Sequence, residues 1–326
     1  MAAFLLSRVL QAIPVLLAVG FIAFALFAYV GDPVQMLVGQ DHTAADREAL
    51  VRQLGLDQPF FVQYARYLWH AAQGDFGISL RLGRPVAGLI AERLPATAEL
   101  AVTATALAVA IGVPMGVHAG IRPHGIGARL FMVASLVGIS LPTFLTGIIL
   151  ILVFSVHLGW LPSFGRGATV TLGGWWTTNF ASWAGFRALI LPSVTLGLFQ
   201  MTLIMRLVRS EMLDVLQADF IRFARARGLT GRSIHFGHAL RNALVPVLTI
   251  VALNFGGIIA FSVVTETVFQ WPGLGLLLVQ TVIAADIPVM SAYLLLVAAL
   301  FIAINLAVDL LYCAIDPRMR AGITGR

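Results

Sequence analysis

The sequence predicts an all-α, polytopic membrane protein with six transmembrane helices and a small helical insertion on the external side. Three observations predict it. Six stretches of about membrane-spanning length are almost free of charge. Charged residues make up only 11% of the 326-residue chain and hydrophobic residues 59%, with a mean hydropathy of +0.92, whereas a soluble domain devotes roughly a quarter of its residues to charge. The 21 basic residues, all of them Arg, cluster between the apolar stretches. Lipid must cover most of such a surface.

A helix needs about 20 apolar residues to cross a ~30 Å hydrocarbon layer. The first candidate, Val9–Val30, runs 22 residues without a charge, longer than the ~7–15 residues of a signal-peptide core. It ends in Gly31-Asp32-Pro33 instead of a small-x-small cleavage site, so it is expected to stay as a span. The Gly31–Ala96 segment is too long for a simple loop. Thr43, with Asp46 three residues on, caps a helix that reaches Leu54 and stops at Gly55. A second helix is expected from Pro59 to about Gln73, since proline suits a first helical turn. No catalytic constellation is visible in this segment. Further spans are expected at Thr97–Val117, Leu130–Val156, Ala188–Val208, Leu244–Val264 and Val289–Leu311. The third carries Pro142, whose missing N–H leaves a carbonyl unpaired and predicts a kink. Glycines recur in several spans, where helices approach closely. The expected organisation is an N-terminus and first span (1–30), an external helical segment (31–96), a core (97–313) containing a cytoplasmic loop (209–241), and a tail (314–326).

Arginine placement predicts the orientation. With the N-terminus inside, 13 Arg fall on the cytoplasmic side, seven of them between Arg206 and Arg241. Six of the eight outside lie in the long 31–96 segment beside seven acids, and long loops carry little weight in this rule. The short Glu266–Pro288 connection has no Arg. Both ends are expected in the cytoplasm.

Several function classes lose ground. Arg clusters between apolar spans do not make a nucleic-acid surface. The single cysteine, Cys313, excludes an internal disulfide or a multi-Cys metal site. Glu99, His118 and Asp309 each fall within about a turn of a predicted span end, so no ionisable group occupies a predicted midplane. An ion-coupled secondary transporter usually needs one. The seven histidines lie in loops or near span ends; His235 and His238 have i,i+3 spacing but no carboxylate to complete a metal site. An intramembrane protease would need a paired nucleophile and base or a metal. Without Lys no Walker A loop is possible, so the chain does not hydrolyse ATP by itself and is not evidently an enzyme. Ser140, Gln200, Asn254 and Asn305 are neutral polar residues within spans. They suit interhelical hydrogen bonds or contact with a solute in a path.

The most informative stretch is Arg206–Arg241. Asp219 is a good N-cap and Gly228 a good stop, bounding a helix of about two turns. Phe220 and Phe223 share one face with Arg227 a turn further on, while Arg222 and Arg225 share another. Aromatics on such a helix can dock on the protein's own spans, lie on a lipid surface, or insert into a partner; the pattern alone leaves partner and membrane open.

The chain resembles the permease subunits of bacterial ABC importers in the oligopeptide/dipeptide group, which also includes nickel and glutathione systems. The matching residues are Gly31-Asp32-Pro33, Leu54-Gly55-Leu56-Asp57-Gln58-Pro59 and Gly74-Asp75-Phe76-Gly77. They continue with Asp219-Phe220-Ile221-Arg222-Phe223-Ala224-Arg225-Ala226-Arg227-Gly228-Leu229 and His238-Ala239-Leu240-Arg241-Asn242-Ala243-Leu244-Val245-Pro246. The last are Glu266-Thr267-Val268-Phe269-Gln270-Trp271-Pro272-Gly273-Leu274-Gly275, Asp309-Leu310-Leu311-Tyr312 and Asp316-Pro317-Arg318. Their order extends over nearly the whole chain. Arg222-Phe223-Ala224 stands where the wider family has Glu-Ala-Ala, and Leu240-Arg241 where it has Leu-Pro; both departures resemble the peptide group.

The resemblance implies the type I importer permease fold in a bacterial inner or plasma membrane. It implies a homologous second permease subunit, two ABC ATPase subunits that bind ATP and Mg, and an extracytoplasmic substrate-binding protein, with lipid around the spans. This chain itself would hold no cofactor. Asp219, Phe220, Arg222, Phe223, Ala224, Arg225, Arg227 and Gly228 would form the coupling helix and its stop. Di- or oligopeptides are the implied substrates, with nickel, glutathione or another small solute as the alternative. Glu266, Trp271 and Pro272 fit an external gate, although Glu266 also fits a carboxylate capping nearby backbone. Ser140, Gln200 and Asn254 are the candidate path-lining residues, and no metal site is expected. A self-sufficient transporter and a membrane-anchored scaffold are the rival classes.

Overall fold

The computed structural model describes residues 2–29 and 57–315. The helix expected at Thr43–Leu54, the Gly31-Asp32-Pro33 motif and the tail from Asp316 lie outside the described residues. Among the described residues are ten α-helices, two π-helical segments and one short hairpin. In chain order, α1 is Ala2–Tyr29, α2 Phe60–Ala72, α3 Val86–Ile121, α4 Ile126–Ser140 and α5 Thr143–Leu150, which continues as a π segment, Ile151–His157. The hairpin pairs β1 (Val170–Thr171) antiparallel with β2 (Thr177–Thr178). There follow α6 Trp183–Gln217, α7 Asp219–Ala226, a π segment Ser233–Ala239 leading into α8 Leu240–Val268, α9 Leu274–Ile283 and α10 Ile287–Ile315.

Four segments are long and apolar enough to cross a membrane: Val86–Ile121, Trp183–Gln217, Ser233–Val268 and Ile287–Leu310. α4 and α5 with its π segment make a fifth if that pair is one span, but the pair bends by 108° at Leu141-Pro142. The kink expected at Pro142 is thus a break, and Pro142 becomes the N-cap of α5. The first predicted span, Val9–Val30, falls in the 28-residue α1 as far as Tyr29, the last residue described there, and its apolar stretch covers Leu10–Ala25. Six crossings are reached only by counting both.

The helices outrun the predicted spans, because polar residues continue a helix once tertiary contacts satisfy them. α3 begins 11 residues before Thr97, which places Glu99 well inside a 36-residue helix, not near its end. α6 runs through Arg206, Arg209 and Asp214, absorbing the first part of the predicted cytoplasmic loop. The Glu266–Pro288 connection contains α9, an apolar helix that leaves Leu274, Leu276 and Leu277 buried.

The described chain divides into two units, 1–95 with 273–326, and 96–272. In the first, α1 packs along α10, with Ser291 Oγ donating to Ala23 O at 3.1 Å and Arg8 paired with Asp309 at 2.9 Å. α2 lies on α1, where Tyr64 OH donates to Leu17 O at 2.6 Å and the Phe24 and Phe60 rings meet edge to face at 5.0 Å. The buried Asp286 carboxylate accepts from Ser79 Oγ and from the backbone N–H groups of Leu80 and Arg81.

In the second unit, α3 and α6 approach through a ladder of glycines. Gly112, Gly116 and Gly120 recur every fourth residue and so lie on one face. A Cβ on Gly116 would lie 2.6 Å from both Met205 O and Val208 Cβ; only hydrogen leaves the backbones room. α6 also packs against α4, α5 and α8. Its buried residues join two cores, one with Leu100, Phe269 and Trp271 and one with Met212, Ile221 and Val247.

Candidate functional site

The basic aromatic helix is α7. Asp219 is its first residue and not its cap: the N-cap is Ala218, and no side chain caps the helix. The carboxylate still lies at the electropositive end, 3.4 Å from Arg222, a pair too exposed to contribute much. At the other end Gly228 takes φ +78°, while Leu229 N–H donates to Ala224 O at 3.3 Å. This six-residue closure needs a left-handed residue at its bend, and glycine takes that conformation without a Cβ clash.

The faces of α7 differ sharply. Ile221 and Ala224 are buried in a core with Ile204, Val208 and Met212 of α6 and Ala243 and Val247 of α8. Burying the isoleucine alone stabilises the docking by about 2 kcal/mol. Ala224, one of the residues expected to form the coupling helix, points into the protein, because it lies three residues from Ile221 on the same stripe. Phe220 and Phe223 point away, 47% and 64% exposed, and the Arg227 guanidinium lies 5.7 Å from the Phe223 ring centre. Arg222 and Arg225 are also exposed. Exposed Leu229 and Phe236 add to the apolar surface. Apolar side chains rimmed by arginines form an interaction surface.

A cavity of about 350 Å³ opens beside the break between α4 and α5. Thr143 and Thr146 line it from α5, Thr195 and Gln200 from α6, and Asn254 from α8, with Phe199 and Phe261 among its apolar walls. Gln200 and Asn254 were expected on a path, and both lie here. Ser140 does not: it is exposed at the end of α4 and its hydroxyl donates to Leu136 O at 2.8 Å. The Asn254 amide donates to Ile250 O at 2.8 Å. Gln200 is buried, and among the described residues its Nε2 has no partner.

The gate candidates are packed away. Glu266 and Trp271 are both 0% exposed. The Glu266 carboxylate accepts from Thr97 Oγ1 at 2.7 Å and from Ser262 Oγ at 3.0 Å. Trp271 Nε1 donates to Ala96 O at 3.0 Å, and Pro272 is half-buried. Beside them is a cluster that the sequence did not reveal. Glu99 Oε2 accepts from Arg166 Nη2 and from Asn179 N–H, both at 3.0 Å, and Arg166 also donates to Thr177. Glu99 and Arg166 are 67 positions apart, and no local pattern links them. Among the described residues, no three His, Cys, Asp or Glu side chains gather as metal ligands.

Helices of membrane length, a cavity at a broken helix and a small outward aromatic helix define a polytopic transport permease. The chain belongs to the family of binding-protein-dependent transport system inner membrane components, whose model matches residues 112–321. The N-terminal model of such membrane components matches residues 1–101. Within the family, its relatives place it in the peptide group of ABC importer permeases. It is 41% identical over 321 residues to the oligopeptide transport system permease protein AppB of Bacillus subtilis strain 168, covering 98% of this chain and 99% of that one. It is also 41% identical over 319 residues to the glutathione transport system permease protein GsiC of Escherichia coli K12, covering 97% and 98%.

Proposed function

We propose that this chain is the permease subunit of an ATP-driven importer of di- and oligopeptides. It forms half of the translocation path together with a homologous second permease subunit. Two ATPase subunits, which bind ATP and Mg, drive it through α7, and an extracytoplasmic binding protein delivers the solute. Both termini lie in the cytoplasm of a cell whose inner or plasma membrane holds the spans. One observation carries the reading: α7 is fixed by Ile221 and Ala224 to the core of three long helices while it presents Phe220 and Phe223 outward. A rigid helix docked this way passes a push on its aromatic face into the spans. The aromatics would be buried in a groove of the ATPase, with Arg222, Arg225 and Arg227 at its rim, since aromatic and Arg anchors dominate such contacts.

The relatives named for glutathione transport favour a second reading of the cargo, in which the same machinery carries a modified tripeptide. Uptake assays with labelled dipeptide, oligopeptide and glutathione separate the two. The drive itself is tested by Phe223→Asp. The variant should insert normally yet lose transport and co-purifying ATPase, a weakening of about 2 kcal/mol or more. Normal solute-stimulated ATP hydrolysis in that variant would refute the role of the aromatic face.

A further inference from the structure

The cavity beside the α4–α5 break is built for a particular kind of guest. Its 14 lining residues include no charged side chain. Five of them, Thr143, Thr146, Thr195, Gln200 and Asn254, bring neutral hydrogen-bonding groups to otherwise apolar walls. In a low-dielectric site such as this, a charge would lack a partner at large cost, while a neutral amide needs only hydrogen bonds. The break points the same way. Irregular backbone at membrane depth is tolerated where it is buried in protein or lines a cavity, and discontinuous helices mark solute sites in other transporters. Leu141 and Thr143, on either side of Pro142, both line this cavity.

Gln200 supplies the independent observation. It is 3% exposed and its Nε2 is an unpaired buried donor, an arrangement that costs free energy in the resting protein. Turning the carboxamide about its last bond exchanges donor and acceptor. Asn254, across the cavity wall on α8, uses its Nδ2 on Ile250 O and keeps its Oδ1 as an acceptor. A turn of the Gln200 side chain brings its buried donor to a C=O in the cavity, and Asn254 Oδ1 can accept from an N–H there; together they suit the two polar groups of a peptide unit.

We propose that this cavity is a transit site for an uncharged stretch of peptide backbone, read by the carboxamides of Gln200 and Asn254. The inference rests on the peptide-import reading above and adds to it a site within this chain. Charged termini and side chains of the solute stay outside the cavity, and Phe199 and Phe261 favour apolar side chains within it.

The test uses vesicles holding the complete importer, supplied with binding protein, ATP and labelled Ala-Phe-Ala. Gln200→Leu should lower the maximal uptake rate about tenfold, the factor that one lost hydrogen bond carries. The thermal midpoint of the purified chain should hold or rise, because leucine removes the unpaired donor. Wild-type uptake by both Gln200→Leu and Asn254→Leu would overturn the site. So would a loss of uptake accompanied by a lower midpoint, which would make Gln200 a packing residue. A photoreactive residue at Phe261 should capture the peptide during turnover where one at Phe301, outside the cavity, does not. Equal capture at both counts against the site even if uptake is robust. If wild-type vesicles hydrolyse ATP and import a different solute but no peptide, the peptide reading fails and the ligand assignment falls with it.

Discussion

Two polar regions of the 96–272 unit are built on opposite plans. α7 keeps its apolar anchors inside and turns its aromatics and arginines outward. The cluster around Ala96–Glu99 does the reverse: Glu99, Arg166, Asn179, Glu266 and Trp271 are all buried. They are held by the Glu99–Arg166 pair, by the Thr97, Thr177 and Ser262 hydroxyls and by nearby backbone, while Arg166 Nε and Asn179 Oδ1 have no partner among the described residues. Exposed charge tolerates substitution, because water solvates whatever remains. Buried charge does not, because removing one member leaves the other without a partner. α7 is therefore expected to tolerate changes in fold terms and fail in function, whereas the Glu99 cluster fails first in stability.

The largest expected effect breaks the buried pair. Glu99→Ala strands the Arg166 guanidinium and should cost about 3–5 kcal/mol of unfolding free energy, read by denaturant unfolding in detergent micelles. Replacing both members, as Glu99→Leu with Arg166→Met, should recover most of that loss, since well-packed apolar pairs often equal or exceed a buried ion pair. If the single variant unfolds like the parent, the cluster is not a clasp and the contrast with α7 disappears.

That contrast also explains what could be read in advance. α7 announces itself within a contiguous run from Asp219 to Gly228, where an acid at the helix start, the i,i+3 pair of aromatics and a stop glycine are all local signals, although Asp219 proves to be the first helical residue and not the cap. The apolar spans were legible for the same reason, and so was the trouble at Pro142, though not its size. The inward position of Ala224 is not a local signal, because that stripe is set by Ile221 and the core beneath it and not by the helix itself. Glu99 was placed near a span end because hydropathy falls there. The helix continues to Val86 only because Val86, Leu89 and Ile90 find a separate core with Leu274, Val289 and Tyr293. The cavity depends on side chains from three separated stretches, 138–146, 195–200 and 254–264, and of its polar members only Gln200 and Asn254 were conspicuous in the sequence.

Between the two regions runs the α3–α6 seam. Gly116→Ala would place a methyl 2.6 Å from Met205 O and Val208 Cβ, an overpacking expected to cost about 1–3 kcal/mol. Gly257→Ala, where the added carbon meets nothing within 4 Å, is the matched control on α8. Unfolding of both variants in micelles should separate them clearly. Equal stabilities would mean that the seam yields, and that α7 does not rest on a stiff support.

The smallest effect concerns the two helix ends themselves. α7 and α8 close with the same six-residue hydrogen bond, Leu229 N–H to Ala224 O and Trp271 N–H to Glu266 O at 2.8 Å. The left-handed residue is Gly228 in the first, with φ +78°, and Gln270 in the second, with φ +47°. A residue with a Cβ carries about 1 kcal/mol of strain in that conformation. Gln270→Gly should therefore raise stability by somewhat less than ~1 kcal/mol, after the entropy that glycine adds to the unfolded chain. Gly228→Ala should lower it by about as much. The strained turn at Gln270 lies beside buried Glu266 and Trp271, whereas Gly228 carries no such strain. If relieving it also slows uptake in the full importer, the strain is used in opening; if uptake is unchanged, the turn is only a tolerated imperfection beside a rigid clasp.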